Sequence, residues 1–175
     1  VMGLPGSGKS YFAKRLAKDI DAVYLGSDEL RKEMGLMGLY SLENKLTIYE
    51  EMFRRAKVIH KTGKNVVLDG TFFLQQVRDL VIFLAKSLSW RLAIIHIQAE
   101  EELITKRLSK PREDSEADIE VYQKIKSEFE PIIEKHLLIQ SIDGFIEESV
   151  NKAINFIYPS HEKRRSPAID GQRKV

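Results

Sequence analysis

The chain of 175 residues has no cysteine, four histidines, 43% hydrophobic content and a net charge of +2. That length supports one domain with a core of its own, and the lack of cysteine excludes disulfides, thiolate metal sites and cysteine nucleophiles. From Pro159 onward five Lys/Arg face two Asp/Glu, which leaves −1 for residues 1–158; a dedicated nucleic-acid binder would carry its positive charge in the folded domain instead. No run of 18 apolar residues and no signal-peptide pattern is present, so the expected setting is cytoplasmic, with no membrane partner.

The first element is Gly3-Leu4-Pro5-Gly6-Ser7-Gly8-Lys9-Ser10, which fits G-x-x-x-x-G-K-[ST] at every fixed position and stands directly before an amphipathic segment. In such a loop the backbone amides form an anion nest, and the helix that starts there adds its positive end. Gly6, Ser7, Gly8, Lys9 and Ser10 are therefore the expected ATP-binding set, with Lys9 on the β- and γ-phosphates and Ser10 on Mg²⁺. A glycine turn that merely caps a helix is the plainer reading, and the register of glycines with Lys-Ser weighs against it. Only Val1 and Met2 precede the loop, where a buried strand should run, so the first strand is expected to be truncated and the N-terminus trimmed.

Phe12, Ala13, Leu16, Ala17 and Ile20 recur at helical spacing, and Ala22-Val23-Tyr24-Leu25 reads as a short buried strand. A short helix follows from Ser27, then glycines 35 and 38 break the pattern. Leu42, Leu46, Tyr49, Phe53, Ala56 and His60 mark one face of a long helix that Gly63 stops. Val66–Asp69 is the next strand, and Leu74, Val77, Val81, Leu84 and Leu88 line another helix. Leu92–Ile97 is the clearest strand, ahead of a helix near Glu100–Leu108, a charged break at Ser109–Asp114, and a helix from Ser115 whose Ser-x-x-Asp start resembles a capping box. Pro131 ends or bends that helix. A strand at His136–Ile139 and a helix at Phe145–Ile157 complete the alternation. Apolar strands alternating with helices predict a three-layer α/β/α sandwich over a parallel sheet of about five strands. Ligands in such folds bind beyond the carboxyl ends of the strands. His60 and His96 fall in apolar contexts and read as structural.

A phosphate loop alone does not separate kinases from GTPases. Asn44-Lys45-Leu46-Thr47 and Asn151-Lys152-Ala153-Ile154 lack the Asp of a guanine motif, and Asp69-Gly70-Thr71-Phe72 has its Gly in the wrong place for a switch. After the second strand, Ser27-Asp28-Glu29-Leu30-Arg31 brings Asp28 and Arg31 onto one helix face. An Asp that takes a proton from an attacking hydroxyl and an Arg that holds the acceptor are a minimal pair for phosphoryl transfer. Capping of the short helix by Ser27 or Asp28 is the competing role. Asp69 ends its strand where a carboxylate can serve Mg²⁺, or cap the next helix. Lys106-Arg107-Leu108-Ser109-Lys110-Pro111-Arg112 is either a solvated charge run or a lid that delivers an Arg to the phosphates.

The loop, the Ser-Asp-Glu-Leu-Arg segment, Tyr40-Ser41 before the long helix, Val66-Val67-Leu68-Asp69-Gly70-Thr71-Phe72, and Arg107-Leu108 ahead of Val121-Tyr122 and Phe129-Glu130-Pro131 together resemble a family of small P-loop kinases. These are AAA-type ATP-binding proteins related to zeta toxins and to the kinase domain of 5′-hydroxyl polynucleotide kinases, and the resemblance covers roughly residues 1–150. It implies a general base at Asp28, acceptor contact at Arg31 and a first lid arginine at Arg107. In the polynucleotide kinases a second lid arginine lies four residues on, where this chain has Pro111; Arg112 or Lys110 fills that role. Family members often sit beside another domain.

On this reading, residues 1–158 form the kinase-like domain and residues 159–175 a disordered basic tail. The expected activity is transfer of the γ-phosphoryl group of ATP to a hydroxyl of a small molecule, with Lys9, Asp28, Arg107 and Arg112 catalytic, Asp28 and Arg31 on the acceptor, and Ser10 and Asp69 on the metal. A polynucleotide 5′-hydroxyl kinase and a non-catalytic ATP-sensing module are the alternatives. The charge of the folded part disfavours the first, and a base beside the γ-phosphate argues against the second.

Overall fold

Four parallel strands and one bridging residue form the middle layer of the computed structural model, which describes residues 1–109 and 118–159. Strand β1 (Ala22–Gly26) pairs with β2 (Asn65–Asp69), Gly26 standing opposite Asp69, and β3 (Ile95–Gln98) pairs with β4 (Leu137–Gln140). Met2 joins the two pairs by bridging Gly70 on one side and His96 on the other. Its amide donates to the Ile95 carbonyl and its carbonyl accepts from the Ile97 amide, both at 2.8 Å. The lateral order is β1, β2, Met2, β3, β4, so the residue just before the phosphate loop sits at the centre of the sheet. The fifth strand that the sequence predicts is this short stub.

Every connection between strands runs through helix, as parallel pairing requires. Helices α1 (Lys9–Asp19) and α7 (Ile146–Ile157) cover one face, where Phe12, Leu16, Val150 and Ala153 meet Ile95, Ile97 and Ile139. Helices α2 (Ser27–Glu33), α3 (Leu42–His60) and α4 (Gln75–Ser87) cover the other, with Ile48, Tyr49, Met52 and Val77 against Leu25 and Phe72. A smaller cluster joins Ile104 and Leu108 of α5 (Glu101–Leu108) to Tyr122 of α6 (Ile119–Glu128) beside Leu4 of the loop. The α/β/α sandwich is thus as the apolar periodicity predicts.

Three local boundaries have physical causes. The ladder of β3 starts at Ile95 rather than Leu92, because apolar alternation reports burial whereas a strand also needs a paired neighbour. Helix α6 begins at Ile119 with Asp118 as its cap, the carboxylate accepting from the Val121 amide at 2.9 Å; the capping box expected at Ser115 lies outside the described residues. That helix ends at Glu128, ahead of Pro131, with Phe129 already extended at ψ 109°. The tail from residue 160 onward also lies outside the described residues. Among those described, no helix is long and apolar enough to cross a membrane.

Arg78 of α4 is 3% exposed and ties two segments together. Its guanidinium donates to the carbonyls of Phe72 and Phe73 after β2 and to those of Glu130 and Pro131 after α6. Burial of a charge is tolerated here because nearly every N–H finds a carbonyl or carboxylate.

The two histidines read as structural take packing roles. His60 lies against Trp90 at 4.4 Å between centroids, and buried His96 stacks on Phe129 at 5.7 Å. Burial first, then the nearby His136 and Arg78, push His96 down to about 4. Since its unfolded value is near 6.5, the unfolded chain takes up a proton between these limits that the folded chain refuses. Stability is therefore intact above pH 6.5 and falls toward pH 4, by on the order of 1–2 kcal/mol once solvent screening is allowed for. In urea melts at pH 7 and pH 4.5, His96→Phe should lose less stability than the wild type over this interval; equal losses would remove His96 as the cause.

Candidate nucleotide and acceptor site

The carboxyl ends of β1, β2 and the Met2 stub converge where chain direction turns into α2, the 70–74 segment and α1. Gly8 is the N-cap of α1 and has φ 90°, a backbone that side chains rarely adopt. A Cβ there would also lie 2.8 Å from Ser141 Oγ and 3.1 Å from the Arg107 guanidinium. Gly3 lies just as close to the sheet, since a Cβ on it would strike the Ile97 carbonyl. The loop is thereby folded tightly onto the end of the central stub, and the first-turn amides of α1 have no acceptor within their helix.

Two buried groups in this loop lack a partner among the described residues. Ser7 is 1% exposed and its hydroxyl has no partner among the described residues. Lys9 is 8% exposed and forms no ion pair among them. A buried cation at a helix N-terminus is unfavourable by itself on both counts, and phosphate oxygens relieve both.

Beside it, Asp69 at the end of β2 is 3% exposed. The Tyr24 hydroxyl donates to Asp69 Oδ2 at 2.8 Å, while Oδ1 has no partner among the described residues. The pKa of the Tyr24 phenol is pushed up by burial and then by Asp69, with the nearby Ser10 hydroxyl acting in the opposite direction. Asp69 thus offers a carboxylate oxygen with a lone pair to spare, and the Ser10 hydroxyl lies in the neighbourhood of the same phenol. Among the described residues no cluster of three His, Cys, Asp or Glu could cage a metal. That donor set suits Mg²⁺, which takes one or two protein oxygens and fills its remaining positions with nucleotide phosphates and water. Asp69 does not cap the next helix, because α4 starts at Gln75 with Leu74 as its cap.

A cavity of about 50 Å³ opens next to Lys9, lined by Asp28, Arg31, Tyr40, Lys45 and Tyr49. Asp28 stands in the first turn of α2, whose cap is Gly26 in extended conformation with no side-chain cap bond. The capping role left open for Asp28 is therefore not the one it plays. Arg31 is 7% exposed; its Nη1 donates to the Leu39 carbonyl at 2.7 Å, and its guanidinium lies 4.7 Å from the centre of the Tyr40 ring. Its Nε has no partner among the described residues. Tyr49 holds the far wall by accepting from the Phe72 amide at 3.1 Å and lying tilted against the Phe72 ring at 4.9 Å between centroids. Phe72 sits at φ 46°, rare for a bulky side chain. Burial raises the pKa of Tyr49, so it remains a neutral phenol.

Arg107 lies elsewhere. Its guanidinium donates to the Gly6 carbonyl at 3.3 Å and to Ser141 Oγ at 3.1 Å, and pairs with Asp143 at 2.6 Å. It clamps the outer side of the phosphate loop to the segment after β4 rather than standing away from it. Leu108 beside it is buried. At residues 107 and 108 the small apolar cluster and Asp143 fix the start of the charged segment read as a lid or a solvated run; Lys110 and Arg112 lie outside the described residues. A larger cavity of about 440 Å³, bounded by Val66 to Leu68 and Leu92 to Ile94, is mainly apolar and touches none of Lys9, Asp28, Arg31 or Asp69.

Lys9, Asp28 and Arg31, predicted separately, share one cleft, and Asp69 is held by Tyr24, a residue that spacing did not single out. Tyr24 reads from sequence only as a strand position, and Lys45 only as one cation on a polar helix face. A signal existed for Lys45: it shares the Ile48 and Tyr49 face of α3 at i, i+3 and i+4.

A parallel α/β/α sandwich with a phosphate loop at the carboxyl end of its central strand position defines a P-loop nucleotide-binding protein. The chain belongs to the AAA domain family AAA_33, whose model matches residues 1–132. It is 34% identical over 90 residues to the uncharacterized protein Rv2004c of Mycobacterium tuberculosis, a stretch covering 45% of this chain and only 18% of that protein. A cytidylate kinase of Sulfurisphaera tokodaii is 28% identical over 101 residues, covering 52% of this chain and 56% of the relative. Among solved structures, the Mycobacterium tuberculosis APS kinase CysC in complex with AMPPNP and APS superposes with a TM-score of 0.70 at 17% identity, covering 89% of this chain and 94% of that one. A gluconokinase from Sinorhizobium meliloti gives 0.65 at 16% identity, covering 89% and 88%. The fold is that of small P-loop kinases.

Proposed function

We propose that this protein is an ATP- and Mg²⁺-dependent phosphotransferase that moves the γ-phosphoryl group to a hydroxyl of a small-molecule acceptor. The observation that carries this reading is the shared cleft of Lys9, Asp28 and Arg31, in which the phosphate-loop lysine, a carboxylate and a guanidinium line one small cavity. Mg²⁺ at Ser10 and Asp69 supplies charge neutralisation on the phosphates. Lys9 stabilises the charge that builds on the transferring group, Arg31 fixes the acceptor, and Asp28 accepts the hydroxyl proton. As the acceptor oxygen bonds to the γ-phosphorus, the bond to the bridging oxygen breaks and ADP departs. Arg107, by clamping Gly6, keeps the loop in shape for this step, and Arg112 remains a second candidate for the lid.

The reading draws support from relatives that are kinases of small acceptors. The sensing alternative leaves Asp28 without employment, and the charge of residues 1–158 keeps a polynucleotide acceptor in second place. Cytoplasmic location and association with a further domain belong to the same proposal, the latter because the alignment spans so little of its mycobacterial relatives. The test is a screen of purified protein with γ-labelled ATP against sugars, sugar acids, nucleosides, nucleotides, antibiotics and 5′-hydroxyl oligonucleotides. Label should pass to a small alcohol; transfer to oligonucleotides alone would favour the polynucleotide kinase, and binding of ATP without transfer to any acceptor would favour the sensor.

A further inference from the structure

The wall of the acceptor cavity has an excess of positive charge that phosphoryl transfer alone does not require. Lys9, Arg31 and Lys45 all line it, and Asp28 is the one carboxylate that does so among the described residues. Lys9 belongs to the nucleotide. Arg31 and Lys45 are left, and neither has an ion pair among the described residues. Each is held instead by uncharged acceptors and ring faces: Arg31 by the Leu39 carbonyl and the Tyr40 ring, Lys45 by the Phe73 ring at 4.6 Å from its Nζ. Such contacts orient a cation without neutralising it. Arg31 is more than nine-tenths buried with an unpartnered Nε, which is costly unless a ligand completes it. Partial burial lowers the pKa of Lys45; Glu128 opposes that shift while Lys124 and Arg31 add to it, so the two cavity cations sense each other.

We propose that Lys45 is a specificity-determining residue of the acceptor site: together with Arg31 it binds an oxyanion, a carboxylate or phosphate group, on the alcohol whose hydroxyl faces Asp28. This rests on the phosphotransferase reading for the hydroxyl, but not for the anion. Guanidinium and ammonium side by side, one planar and one a point charge, suit a tetrahedral phosphate or a carboxylate and gain nothing from a neutral sugar. Helix α3 sets the position of Lys45, because Ile48 and Tyr49 on the same face are buried and fix the rotation of the helix.

The experiment reads binding, not turnover. The protein is saturated with AMPPNP and Mg²⁺ so that the phosphate loop is filled, then titrated calorimetrically with two matched pairs: D-gluconate against D-glucose, and glycerol 3-phosphate against glycerol. At least one anionic member should bind about 10-fold or more tightly than its neutral counterpart, the scale of a charge-assisted hydrogen bond. The pair that discriminates tells carboxylate from phosphate. Lys45→Gln should remove most of that ratio, Lys45→Arg should restore it, and both should leave AMPPNP affinity and Tm unchanged. Equal binding within both pairs, no binding by any probe, or a ratio that survives Lys45→Gln would overturn the proposal. Anion binding without phosphoryl transfer would sink the transferase reading and leave this site standing. Transfer to a neutral alcohol that is indifferent to Lys45→Gln would do the reverse.

Discussion

Lys9→Ala should lower turnover by about 10²–10³-fold and weaken Mg·ATP binding, the usual cost of removing one charge-stabilising donor from a closed site. Stability should move the other way. Lys9 is the first residue of α1 and is nearly buried without a counter-ion among the described residues. A cation there opposes the helix dipole, and alanine is the better helix former. The variant should therefore melt at the same temperature as the wild type or higher while losing its nucleotide, a combination that a structural lysine cannot give. Calorimetry with Mg·ATP beside a thermal melt checks both halves. Near-normal turnover would remove the loop from the chemistry, and a lower Tm with intact ATP affinity would make Lys9 a packing residue.

The parts of this molecule that were legible in the sequence are those whose cause is local. Fixed glycines beside Lys9 and Ser10 specify a backbone shape, and short apolar runs between helical periods specify a buried parallel sheet, so loop and layers follow from spacing. What depends on a distant neighbour was not legible. Leu92 to Ile94 have the composition of a strand but the ladder begins at Ile95, because pairing is decided by what lies alongside. Arg107 looks from its charged surroundings like a mobile lid arm, yet Asp143, far along the chain, draws it against the phosphate loop. Tyr24 reads as core, and only the register of β1 against β2 shows that its hydroxyl reaches Asp69. Capping was the most evenly balanced question. An Asp after a strand suits either a cap or a base, and the extended Gly26 at the cap position, with no side-chain bond, is a backbone fact that composition does not carry.

The measurement that bears most directly on the proposed chemistry is the single-turnover rate of γ-phosphoryl transfer in Asp28→Asn, using the acceptor that the screen identifies. Asn has nearly the shape and hydrogen-bonding reach of Asp but cannot take up a proton. Because Asp28 makes no cap bond, the exchange should leave Tm and AMPPNP affinity almost unchanged. Transfer should fall by roughly 10²-fold or more, the ordinary worth of a positioned base. A folded Asp28→Asn protein that binds nucleotide normally and transfers at the wild-type rate would contradict the assignment of Asp28 as the base.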